Sequence, residues 1–420
     1  MSTSTERMAR RDYDPASVSH MSFWAATAEE REVVFKELRH RAPVSWQPPV
    51  AGSLAPPEND GYWAVTTNQL IAEVSTNPET FCSGLGVQFE EIPEDHLEAA
   101  SSFLAMDGER HLSMRRLVSS AFTPKAVARL ETMIRDRAVG LVDELLETRS
   151  GDFVRQFSQR MPMNTIYDMV GLPPEMRDEA AHLADMLVGW NDPDIAQGRE
   201  PGQLVSDALV GLLTMGLEFT AQTRRAPRED IWSNLVEAEV GGQRLTDDEI
   251  ASFFVLVSVA GNDTTRNSIS LGAHTFARHP DQRDLLLADF DGRIGAAIEE
   301  VVRWATPVMT FRRTATKDTE LGGREIRKGD WVAMFYASGN RDETVFEDPE
   351  RFDITRTPNG HVGFGGGGPH YCLGHFLAKM QLRHVFGQLL HRVPDIEFDT
   401  PEFLVGNFVH AVRRLPYSLS

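Results

Sequence analysis

Two cysteines in 420 residues, Cys82 and Cys372, cannot build a disulfide framework. The chain therefore suits a reducing compartment, and a cytoplasmic location is expected. No run reaches the roughly 18 apolar residues of a membrane span, so no membrane anchor is expected. The opening segment, MSTSTERMARRDYDP, is polar and has no signal-peptide core. No Pro/Gly/Ser-rich linker, repeat or low-complexity tract interrupts the chain. One domain over residues 1–420 follows, with 1–20 expected as a flexible N-terminal segment. Basic residues are outnumbered 42 to 62, and a net charge of −20 argues against nucleic acid as a partner. The chain also lacks GxxxxGK[ST], and no GxGxxG opens a strand–loop–helix unit near its start. A phosphate-cradling nucleotide site is therefore disfavoured, although a glycine-rich loop lies near the C-terminus.

That loop is GFGGGGPHYCLGHFLAKMQ, Gly363 to Gln381. Four successive glycines, Gly365 to Gly368, exclude regular helix or strand, since glycine loses the most backbone freedom on ordering. Such a run suits a tight turn or a close approach to something flat. Pro369 stiffens its exit, and a helical pattern follows at Leu373, Phe376, Leu377 and Met380. Cys372 thus stands at the mouth of a helix, where free N–H groups and the helix dipole favour a thiolate. With His370 two positions earlier, that thiolate suits an axial ligand to haem iron. Taken alone, such a cysteine is more often a small buried hydrophobe.

A second irregular stretch is FFVLVSVAGNDTTRNSISLG, Phe253 to Gly272. Its apolar residues run nearly all round, as in a helix buried through a core. The cluster Asn262 to Asn267 interrupts it, and burying those groups costs unless each finds a partner. Gly261 in a helix interior costs about 1 kcal/mol relative to alanine. Local rules broken in mid-core point to a functional site; the plainer reading is a helix end with Asn or Asp capping a new one. Further on, Glu300 and Arg303 in AIEEVVRWATPV stand at i, i+3 and can pair, a weak signal alone.

The cysteine loop, with Phe364, His370, Cys372 and Gly374 at fixed spacing, resembles the haem-binding loop of the cytochrome P450 family. Many members place the Phe seven residues before the cysteine; here it is eight, a longer form that resembles a bacterial branch. The resemblance covers most of the chain. It implies a mainly α fold with small β-sheets, with haem b held between a long buried helix and the cysteine loop. Cys372 is then the axial thiolate, His370 meets a propionate, and Phe364 and Gly365 belong to the loop that binds the cofactor. The segment around Gly261 resembles the oxygen-binding helix, with Asp263 as the acid and Thr264 as the alcohol. Splitting dioxygen needs two protons, and such a pair would deliver them. Glu300 and Arg303 resemble the structural ExxR pair, and Arg351 in FEDPERF stands where a third partner is expected. His111 and Arg115, at i, i+4 in MDGERHLSMRRLVSSAFTP, resemble propionate ligands. In FRRTATKDTELGG, Arg313 matches another such ligand better than Arg312. Carboxylates favour the forked donors of arginine.

Composition agrees. At 41% apolar, the chain can bury one large core. Helical patterns run over Ala126–Thr148, Ile231–Ala238, Asp247–His279 and Arg293–Trp304. Strand-like runs are short: Tyr62–Thr66, Thr310–Thr316, Glu325–Ile326 and Trp331–Phe335. The family resemblance implies a monooxygenase that takes O2, a hydrophobic small-molecule substrate, and electrons from a separate ferredoxin and its NAD(P)H-dependent ferredoxin reductase, acting as a monomer. His375, Lys379, Arg383, Arg115 and Arg116 are candidates for a basic docking patch. The strings AGNDTTRN and SGNRDETVF resemble members that hydroxylate terminal carbons of branched lipids, fatty acids, sterol side chains, alkanes or terpenoids. Candidate channel lining comes from Gly84–Leu104, Met186–Met215, Val308–Phe311 and Val405–Phe408, with Val259 and Ala260 facing the haem pocket. A peroxide-driven haem enzyme and a haem sensor without turnover are the alternatives, and the Asp263–Thr264 pair argues against both.

Overall fold

Thr246 starts the helix that crosses the core. Its hydroxyl accepts from the Glu249 amide, and the Glu249 carboxylate accepts from the Thr246 amide, a reciprocal cap. The helix runs Asp247–Ala260, breaks at Gly261 and Asn262, and resumes as Asp263–Arg278. The continuous Asp247–His279 helix expected from the pattern is therefore two pieces. In the computed structural model, residues 11–57, 59–90, 102–228, 230–240 and 243–419 are described.

Four helices pack on this axis: Pro174–Val188, Pro201–Arg225, Phe290–Ala305 and His375–Arg392. Phe254, Phe276, Val301, Phe386 and Leu389 belong to the main buried cluster they share. Their burial from water supplies the dominant favourable term in folding. Among the described residues, Pro201–Arg225 is long and apolar enough to cross a membrane by length and composition. Half of its most apolar stretch is buried against its neighbours. The Ala126–Thr148 pattern resolves into Pro124–Ala128 and Glu131–Thr148.

The largest sheet has five strands, in the order Val44–Gln47, Tyr62–Val65, Trp331–Phe335, Thr310–Ala315 and Phe81–Cys82. Val332 pairs with Arg313, and Cys82 with Thr314, both in antiparallel ladders. Alternation along Thr310–Ala315 sends Arg312 and Arg313 to opposite faces of the sheet. The sheet stays small because its edges are short, as sequence patterning suggested. The N-terminal expectation needs correcting. Arg11 bonds Asp330 at 2.7 Å and lies over the Trp46 and Trp63 rings, and Val18 is fully buried. Residues 11–20 are thus pinned to the sheet; residues 1–10 lie outside the described part.

Candidate active site

The glycine loop is held from both sides. The Cys372 amide donates to the Phe364 carbonyl at 2.9 Å and closes the loop on itself. A Cβ on Gly366 would stand 2.6 Å from Ser75 Oγ, and one on Gly368 2.2 Å from the Ser75 carbonyl. Gly368 also has φ +74°, a region that L side chains rarely adopt. The run of glycines therefore answers the close approach of the Asn68–Thr76 helix as well as the tight turn. The helix after the cysteine begins at His375. Burial pushes the half-buried Cys372 thiol up, while the Gly374 and His375 amides and the charges of Arg115 and Lys379 pull it down. Burial outweighs these, and a metal ion that binds such a thiol deprotonates it outright.

Beside the loop lies a cluster of bases. The His111 and His370 rings are 4.2 Å apart, and Arg115 donates to the Tyr371 carbonyl. His111 is 1% exposed and Arg313 4%. Burial pushes His370 down to about 3, with Arg313, His111 and Arg115 adding their charge. His111 is lowered the same way, with Asp107 opposing. Asp107 is itself taken up by the Ser83 and Gly84 amides. Arg312 points elsewhere: it donates to the Leu85 carbonyl at 2.9 Å and lies over the Trp331 ring. Arg313 is thus the one of the two brought to His370. Phe103 stacks on Phe253 of the core helix and also meets His111, tying the base cluster to that helix.

At the break in the core helix, Thr264 Oγ1 donates to the Ala260 carbonyl at 3.0 Å. Ala260 is exposed, and Val259, Gly261 and Thr264 are half-buried, on a helix otherwise mostly buried. Asp263 turns the other way. It is 1% exposed and lies 2.6 Å from Arg266, which also bonds Asp185 at 2.8 Å. Burial raises the Asp263 carboxyl to about 7, with Arg266 opposing and Asp185 adding. The Asp185 partner, on the Pro174–Val188 helix, had no signal in the sequence.

The brace behind the loop is fully buried. Glu300 meets Arg303 through two contacts of 2.7 Å, and both are 0% exposed. The expected third partner is wrong. Arg351 gives only its carbonyl, to Arg303, while Arg356 brings its guanidinium to 3.3 Å from Glu300. The chain turns after Phe352 and carries Arg356 inward, leaving Arg351 exposed. Of the basic residues expected at a docking surface, Lys379 is paired with Glu299 and Arg383 with Asp291.

Residues 203–394 match the cytochrome P450 family model. Methyl-branched lipid omega-hydroxylase of Mycobacterium tuberculosis is 40% identical over 407 residues, 95% of this chain and 94% of that protein. The chain belongs to the cytochrome P450 family. Steroid C26-monooxygenase of Mycolicibacterium smegmatis is 37% identical over 385 residues, 90% of this chain and 88% of that protein. A Mycobacterium marinum cytochrome P450 solved with pseudoionone superposes with a TM-score of 0.96 at 51% identity, covering 98% of this chain and all of that one. This P450 is therefore a monooxygenase, and the family implies haem with cysteine-thiolate ligation. The residues fit that cofactor. Buried bases surround one rim, and His111 Nε2 has no hydrogen-bond partner among the described residues, as carboxylate-binding groups would leave it.

Proposed function

We propose that this P450 hydroxylates a terminal carbon of a methyl-branched lipid, fatty acid or sterol side chain. The observation that carries this is the similarity, over nine-tenths of the chain or more, to relatives named for terminal attack on branched lipids and on steroid C26. The reaction converts R–CH3, O2, two electrons and two protons into R–CH2OH and water. In this reading Cys372 holds the iron of haem b. His111, Arg115, Arg313 and His370 bind its propionates, and Phe364 and Gly365 shape the loop beneath. When bound, the haem supplies the oxidant for an unactivated C–H bond.

The chain's own residues supply protons and orientation. Asp263, whose carboxyl burial raises to about 7, takes up protons on the Arg266–Asp185 side and must swing from that ion pair to relay them toward Thr264. The Thr264 hydroxyl turns from the Ala260 carbonyl to donate toward dioxygen. Terminal C–H bonds are not the weakest in a lipid, so orientation must overcome intrinsic reactivity. Electrons come one at a time from a ferredoxin and its NAD(P)H-dependent reductase, and the enzyme acts as a cytoplasmic monomer. A second reading is hydroxylation of an acyclic terpenoid, favoured by the pseudoionone bound to the M. marinum relative.

The CO difference spectrum of the reduced protein tests the ligand. A peak near 450 nm is expected for haem–thiolate, and its loss in Cys372→Ser identifies the thiolate. Turnover with branched lipids, followed by mass spectrometry, tests the chemistry. Products oxygenated only at internal carbons would overturn terminal attack.

A further inference from the structure

Three of the four segments expected to line a substrate channel meet at one narrow cleft. Val188 and Trp190 come from the end of the Pro174–Val188 helix and the turn after it. Val405, Asn407 and Phe408 come from the turn near the C-terminus, and Glu90 from the segment after Phe81–Cys82. Val188, Trp190, Val405 and Phe408 line it together with the polar Asn191 and Asn407, and the Glu90 carboxyl stands among them. Asn407 Nδ2 donates to Glu90 Oε1 at 2.8 Å.

Both polar residues are fixed from outside the cleft. Asn407 is 3% exposed, and its carbonyl accepts from Thr310 Oγ1 at 2.8 Å. The Met309 amide donates to the Phe408 carbonyl at 2.8 Å, and the Phe311 and Phe408 rings meet at 5.4 Å. The turn thus rides on the strand that carries Arg313. Glu90 follows Phe89, which is 1% exposed and packs edge-on against Tyr62 and Phe335. The Val87 carbonyl is held by the Arg312 amide. A carboxyl withdrawn from water carries a desolvation cost. Burial raises it to about 7, with the Asn407 bond opposing. A purely structural latch would be as well served by an uncharged pair.

We propose that Glu90 and Asn407 anchor the polar head of the substrate, selecting neutral heads with a hydroxyl or ketone over free carboxylates. The inference rests on the lipid-hydroxylase reading and sharpens its substrate class. With both forms of Glu90 present near neutral pH, a hydroxyl donates to the ionised carboxylate, a ketone accepts from the protonated form, and a carboxylate meets the charge of the ionised form. The apolar tail then runs inward with its methyl end leading. The same charge gives the cleft a filter without narrowing it.

The test is a spin-state titration of the holoenzyme with farnesol and with farnesoic acid, which share one methyl-branched tail. The acid is expected to bind about tenfold more weakly than the alcohol. Glu90→Gln should close most of that gap by tightening the acid, and Glu90→Lys should make the acid the preferred ligand. A peak near 450 nm with CO shows that each variant keeps its haem–thiolate site. An acid-to-alcohol ratio unchanged in both variants would overturn the anchor and leave the lipid reading standing. No spin shift with either ligand in the unaltered enzyme would overturn both.

Discussion

Replacing Arg356 with alanine removes the outer partner of the most deeply buried carboxylate in the brace. Glu300 would keep Arg303 at 2.7 Å, the Asp353 amide at 2.9 Å and Asn359 at 3.0 Å. It would lose a guanidinium 3.3 Å away whose side chain is 10% exposed. The Glu347 carbonyl would also lose a 2.7 Å bond, and the Asp348 and Arg351 carbonyls longer ones. Stripping a buried charge of its partner costs about 3–5 kcal/mol. Because Arg303 remains, the expected loss is smaller, about 2–3 kcal/mol including the carbonyl bonds. Arg351→Ala keeps the carbonyl that Arg303 uses and should stay within about 0.5 kcal/mol. Urea unfolding of the holoenzyme, followed by tryptophan fluorescence and by Soret absorbance, gives both numbers. The Soret transition of Arg356→Ala should come first, since the brace backs the cysteine loop. Equal losses in the two variants, or none in Arg356→Ala, would refute the assignment of Arg356 as the third partner.

The two neighbouring arginines on one strand should separate cleanly: Arg313→Leu should lose haem on dilution about tenfold faster than Arg312→Leu, measured by transfer to apomyoglobin. Thr264→Ala should bind substrate as before but return most consumed oxygen as peroxide; tight coupling in that variant would remove Thr264 from the relay. Asp263→Asn should slow turnover by about 100-fold and raise the solvent isotope effect. Gly368→Ala places a Cβ against the Ser75 carbonyl at a positive φ, so it should cost about 3 kcal/mol or more and lower haem content on expression.

Much of this site was legible because it is written in short windows. The Gly363–Gln381 loop, the break at Gly261 and the Glu300–Arg303 pair each carry their signal within twenty residues. What escaped is what the chain brings together from afar. Nothing local distinguishes Arg351 from Arg356, five residues on; the turn between them decides which guanidinium faces inward. Asp185 meets Arg266 only because two helices cross. The Asp263 side chain was read as one half of a pair with Thr264, yet it faces the Arg266–Asp185 side while the hydroxyl bonds Ala260. The fold class was easier, since apolar periodicity marks core helices directly. Segment ends were harder: the Ala126–Thr148 pattern ran straight through the division between Ala128 and Glu131.

The contact between Ser75 and the glycine loop bears on how this family can be recombined. The spelling of residues 366–368 is dictated by a helix nearly 300 positions upstream, through close approach of Ile71, Ser75 and Thr76. A chimaera that imports the cysteine loop of a relative without its Asn68–Thr76 counterpart would set unmatched surfaces against each other at the point where the cofactor is gripped. Crossover points placed between those two segments should thus yield apoprotein more often than crossovers that keep them together, whatever the overall identity of the parents.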